Sequence, residues 1–223
     1  MNTNALIAEF VGTFTLIFVG VASIASNHMT DGALGLTGIA LAHGLAIAVM
    51  ASATAAVSGG HLNPAITLGL FLGRKIGVST LVGYWIAQCL GAVVAAVLVK
   101  TAFPAEVLSA VNMGTPLARP GVTPSIAIMA ELIGTFFLVF VVYGTAVDPR
   151  APKCGALFIG LTVAMGIMAV GPISGAALNP ARHFGPSIIS GNMAGLMEHW
   201  VGPLAGGALA GLLYSNTLGR TTT

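Results

Sequence analysis

Charge is what this sequence has least of. Asp, Glu, Lys and Arg together make up 6% of its 223 residues, where soluble domains carry about 25%. So few charges cannot keep a chain of this length in water, which sets aside a soluble enzyme or a free-standing binding module. The formal net charge is only +2 and the basic residues are scattered, so nucleic acid has no basic stripe to bind. Cysteine is scarce as well. Cys89 and Cys154 have neither metal-ligand nor redox spacing and read as inert apolar residues. His28 lies in a connecting stretch and His199 opens an apolar run, so neither supports a metal site. No cofactor is called for, and no nucleophile–base pair stands out. The opening "MNTNALIAEF" lacks a basic n-region and holds Glu9, which argues against a cleaved signal peptide.

Apolar length is what the chain has in plenty. Hydrophobic residues are 56% of it and the mean hydropathy is +0.96, which places it in a lipid bilayer. A hydrocarbon core of about 30 Å takes about 20 residues of helix. Six stretches are read as spans, near 5–26, 38–57, 80–99, 126–145, 155–170 and 200–214. Six spans put both termini on one side. Arg74, Lys75, Arg150, Lys153 and Arg220 fall on that side, against Lys100 and Arg119 opposite, so the positive-inside rule makes it cytoplasmic. Short termini and loops point to a bacterial inner membrane. Trp85 and Trp200 start spans three and six, where membrane-interface placement accounts for them.

The chain also repeats itself. "SGGHLNPAITLG" (58–69) returns as "SGAALNPARHFG" (174–185), "IAEFVGTFTLIFV" (7–19) as "MAELIGTFFLVFV" (129–141), and "WIAQCLGAVVAAVL" (85–98) as "WVGPLAGGALAGLL" (200–213). The expectation is one membrane domain, 1–223, made of two halves near 5–99 and 126–214. Three spans per half is an odd number, so the second half enters the membrane upside down. Such an inverted repeat is related by a pseudo-two-fold axis in the membrane plane. The fold class expected is all-α: six transmembrane helices and two re-entrant half-helices that dip in from opposite faces. The small residues of "QCLGAVVAA" and "LAGGALAG" suit close helix packing.

Each short motif carries helix-start chemistry. Asn63 and Asn179 suit N-caps, and Pro64 and Pro180 suit the first helical turn, where a missing N–H does no harm. Ala65 and Ala181 complete the two Asn-Pro-Ala triplets. Broken backbone at membrane depth is tolerated only when buried in protein or lining a wet cavity. Two half-helices meeting head to head aim two positive dipole ends at one point. They repel a cation there, while a neutral molecule can accept from the asparagine amides. Carbonyls of the unwound stretches Gly59, Gly60, His61 and Gly175, Ala176, Ala177 would offer acceptors along the path. Glu9 and Glu131 hold equivalent places in the repeat. An intramembrane carboxylate is a functional candidate by default, a proton relay among the options. Here a supporting role is preferred, each accepting hydrogen bonds from orphan N–H groups of a motif. His61 and His183 flank the motifs and read as hydrogen-bonded structural groups, with pH sensing as the other reading.

Taken together, "AEFVGT", "SGGHLNPA", "AELIGT", "NPARHFGP" and "HWVGPLAGG" make the sequence resemble the aquaporins, the major intrinsic protein family, along nearly its whole length. The resemblance implies the aquaporin fold, assembled as a homotetramer with one pore per subunit. It implies passive passage of water and small neutral solutes across the lipid bilayer, with protons and ions excluded. Family spacing assigns a selectivity filter to His43, Ile167, Ala176 and Arg182, the arginine lining the narrowest point. That quartet is similar to the plant tonoplast intrinsic proteins, which pair a span-two histidine with a span-five isoleucine. A packed core histidine is the other reading of His43. Its filter reading predicts ammonia permeability beside water, because the span-five wall is apolar. Glycerol facilitators of the family carry an aspartate after the motif arginine. His183 stands there instead, in place of the serine of water channels. A glycerol or small-solute facilitator is the alternative, and an ion-coupled secondary transporter the competitor from another class.

Overall fold

The computed structural model describes residues 2–151 and 153–219; Arg220, counted above on the terminal side, lies outside them. Among the described residues no strand occurs. The chain runs as α1 (Thr3–Met29), α2 (Gly35–Ser58), α3 (Pro64–Leu72), α4 (Val78–Ala102), α5 (Ala105–Ala110), α6 (Pro124–Val142), α7 (Gly155–Ser174), α8 (Pro180–Ser190) and α9 (Leu196–Asn216). Five of these, α1, α2, α4, α6 with its π-helical extension to Val147, and α7, are long and apolar enough to cross a membrane by length and composition. The sixth, α9, is 21 residues long; its glycines and alanines, with Glu198 and His199, make it less apolar. The spans extend two to four residues past the expected ends at most boundaries. Not foreseen were the short α5 and the π-helical turn Tyr143–Val147 that finishes α6.

Starts and stops follow local chemistry. Asn2 caps α1 by accepting from Asn4 N, 3.0 Å, and Thr123 caps α6 ahead of Pro124. Gly59 and Gly175 end α2 and α7 in the left-handed conformation, φ 90° and 89°, which costs glycine little. The halves mirror each other in their contacts. α1 packs on α4 as α6 packs on α9, and α3 packs on α9 as α8 packs on α4. The half-helices thus cross over, each seated against a helix of the opposite half. Missing side chains permit this approach: a Cβ on Gly69 of α3 would lie 2.7 Å from Gly207 O, and one on Gly185 of α8 would lie 2.5 Å from Ala92 O. Outward faces carry large apolar side chains such as Leu45, Val49, Val82, Ile86 and Met129, as a bilayer requires.

Candidate pore

The two motifs are tied to each other. Asn63 caps α3 by accepting from Ala65 N at 2.8 Å, and Asn179 caps α8 by accepting from Ala181 N at 3.0 Å. The remaining amide groups cross the junction: Asn63 Nδ2 donates to Leu178 O (2.8 Å) and Asn179 Nδ2 donates to Leu62 O (2.9 Å). Each NH₂ group has two hydrogens, so one on each asparagine is left over. The N-termini of α3 and α8 meet here, within one narrow cavity. Leu62 and Leu178 reach this junction in the left-handed region, both at φ 52°, a conformation that surrounding structure must hold in place. Their side chains do so by filling notches at Gly12 and Gly134, where a Cβ would meet them.

Behind each motif stands a buried carboxylate. Glu9 accepts from Ser58 Oγ (2.7 Å), His61 N (2.9 Å), Leu62 N (2.6 Å) and Gln88 Nε2 (2.7 Å). Glu131 accepts from Ser174 Oγ (2.7 Å), Ala177 N (2.9 Å) and Leu178 N (2.8 Å), with His199 Nε2 at 3.6 Å. The serines, Gln88 and His199 escaped sequence reasoning, although the repeat could have found Ser58 and Ser174. Tyr84 and His199 occupy equivalent places and do equivalent things: Tyr84 donates to Ser58 O (2.8 Å), His199 Nε2 to Ser174 O (2.7 Å). His61 bonds Thr67 Oγ1 (3.2 Å). His183 donates through Nε2 to Ala194 O (3.0 Å) and stacks on His199, ring centroids 4.7 Å apart.

A cavity of about 20 Å³ runs from the junction to Arg182, room for about one water at a time. Leu16, Ile47, Ile66, Leu138, Val163 and Ile167 form its apolar walls, and His43, Asn63, Asn179 and Arg182 its polar points. Three of the four expected filter residues therefore meet here. Ala176 does not line this cavity; it is buried beside Ala177, which does. Of the six residues expected to present carbonyls, Ala177 alone borders it.

His43 lines the cavity beside Arg182 with both ring nitrogens bonded. Its Nδ1 donates to Ile39 O (2.9 Å), and its Nε2 accepts from Arg182 Nε (3.2 Å). Both ring nitrogens are committed to the protein. The group left for a permeant is the guanidinium, whose buried Nη1 has no partner among the described residues.

The major intrinsic protein family model matches residues 1–214. The chain belongs to the major intrinsic protein family. It is an integral, multi-pass membrane protein of the aquaporin type, a channel and not an enzyme. Aquaporin TIP2-3 of Arabidopsis thaliana is 44% identical, the match covering 96% of this chain and 87% of that one. Probable aquaporin TIP2-1 of Oryza sativa subsp. japonica is 42% identical, with 96% and 88% covered. Among solved structures, the aquaglyceroporin from Plasmodium falciparum superposes with a TM-score of 0.84 at 26% identity, 96% of each chain covered. These curated relatives are plant proteins, so the expectation of a bacterial inner membrane finds no support.

Proposed function

We propose that this aquaporin passes water in single file, excludes protons and ions, and passes ammonia. The observation that carries the reading is the reciprocal pair of asparagine bonds, Asn63 to Leu178 O and Asn179 to Leu62 O. With one hydrogen of each amide fixed and two helix N-termini facing the same point, a water there accepts from both sides and cannot also pass a proton along the file. Arg182 adds a fixed positive charge at the other end of the cavity. Ammonia hydrogen-bonds less strongly than water, so the walls formed by Ile47, Val163 and Ile167 penalise it less.

The filter in this reading is His43, Ile167 and Arg182 with Ala176 alongside, Glu9 and Glu131 are braces, and the molecule assembles as a homotetramer with both termini cytoplasmic. Proteoliposomes carrying a pH-sensitive dye test the first part. Osmotic shrinkage well above empty vesicles, with an imposed pH gradient preserved, is the expected result; a proton leak scaling with water flux refutes it. Alkalinisation on ammonium addition no faster than in empty vesicles removes ammonia from the permeants. Glycerol entering as fast as water would favour the facilitator reading, which the fold likeness to an aquaglyceroporin keeps in the assay.

A further inference from the structure

Gly20 lies on α1, buried and one layer behind the pore: it does not line the cavity. A Cβ built on it would enter the His43 ring, 2.7 Å from Cδ2, 3.0 Å from Cε1 and closer still to Nε2. The ring borders the cavity on one side and is tethered at both nitrogens. Ile39 O holds Nδ1 and Arg182 Nε holds Nε2. Behind it, α2 is pressed on α7, where a Cβ on Gly44 would lie 2.6 Å from Gly160 O and one on Gly160 would lie 2.7 Å from Ala48 N. Close-packed interiors transmit such a clash and do not absorb it.

The repeat separates this glycine from the rest. Gly12 and Gly134 hold equivalent places and serve one purpose, each making room for a motif leucine. The place equivalent to Gly20 in the second half is Val142, which is buried. A branched side chain is accommodated there, so helix packing alone does not call for glycine at this point of the fold.

We propose that Gly20 is a specificity-determining position: by lacking a side chain it seats the His43 ring, and through the ring it fixes the direction in which Arg182 presents its Nη groups to the pore. It is a positioning residue, since it touches no permeant. The proposal rests on the filter reading of His43 and Arg182 given above.

The test is a double-mutant cycle of Gly20→Ala and His43→Ala in proteoliposomes, read as the quotient of glycerol to water permeability per reconstituted channel. Gly20→Ala is expected to raise the quotient about tenfold, the factor corresponding to one lost hydrogen bond to a charged group. With the ring removed, the added methyl has nothing to strike. In the His43→Ala background the second substitution is therefore expected to change the quotient by less than about twofold, the usual tolerance for independent sites. Should Gly20→Ala alone fail to fold while the double variant folds and conducts, the clash with the ring is again supported. Equal effects in both backgrounds, or failure to fold in both, mean a packing role and overturn the proposal. A silent Gly20→Ala beside an effective His43→Ala overturns it while leaving the filter reading intact. A quotient unmoved by His43→Ala overturns both.

Discussion

Replacing Glu9 with glutamine changes one oxygen for one NH₂ and almost nothing in shape, yet the structure predicts a measurable loss. Each carboxylate oxygen of Glu9 serves one side chain and one backbone N–H: Ser58 and His61 on Oε1, Gln88 and Leu62 on Oε2. The side chains can adapt. Ser58 has Thr54 O within 3.5 Å, and Gln88 can turn its amide, whose Oε1 is otherwise without a partner. The peptide groups cannot move. Whichever way the new amide faces, one of His61 N and Leu62 N is left against a donor, buried and unpaired. That costs about 1–3 kcal/mol, offset in part because a buried charge no longer has to be desolvated. A net loss of about 1–2 kcal/mol corresponds to a shift of roughly tenfold in the unfolding equilibrium. Unfolding in mixed detergent micelles, followed by tryptophan fluorescence, suits the measurement because Trp85 Nε1 donates to Pro64 O (3.0 Å) at the affected motif. Glu131→Gln is expected to behave alike, with Ala177 N and Leu178 N in the same predicament. The variants that fold should still conduct water. Unchanged stability with water conduction abolished would refute the bracing role and return both carboxylates to chemistry.

Asn63→Asp sets a carboxylate against Leu178 O and removes the donor that faces it; reduced stability and a cation leak in vesicles are expected, and an intact, leak-free channel counts against the junction's role. Mercury should not block the wild type through the second motif, where Ala176 stands; Ala176→Cys, next to the lining residue Ala177, should introduce inhibition. Strong inhibition of a Cys89→Ala, Cys154→Ala double mutant refutes this. Outside the membrane, Asp148 is bonded by Arg150 and by Tyr214 Oη (3.0 Å), while Arg150 also donates to Leu218 O (2.9 Å). Hydrogen bonds from Arg150 hold the Asp148 carboxyl well below the ordinary carboxylate range. Its contribution is thus complete above about pH 4 and lost only as pH falls further. Protease cleavage of the loop after Asp148 should be flat between about pH 5 and 8 and rise in Asp148→Asn; a titration near neutrality contradicts this role for Asp148.

The parts readable in advance were those written as periodicity or as local backbone chemistry. Six apolar runs, a double Asn-Pro-Ala and an odd count of spans per half are sequence features, and they lead directly to α3 and α8 with their asparagine caps. What stayed hidden depends on partners brought from afar. Nothing near His43 in the sequence says that its Nε2 accepts from a residue 139 positions away. Gly20 resembled any small residue of a membrane helix until the ring beside it was placed. His183 reads in the sequence as a hydrogen-bonded structural group, but its stacking partner His199 is out of sight because it begins another helix.

The reciprocal junction bears on how the molecule is made. Leu62 O and Asn63 Nδ2 find their partners only at Asn179 and Leu178, more than a hundred residues later in synthesis. Glu9 and Asn63 can hold His61 N, Leu62 N and Ala65 N from within the first half, but Leu62 O and the Asn63 amide have no partner there. α3, translated early, is seated on α9 near the end of the chain. The two halves are therefore not self-contained: each supplies partners that the other lacks. A chain stopped after the first three spans would lack both cross-junction bonds and the α9 surface on which α3 sits.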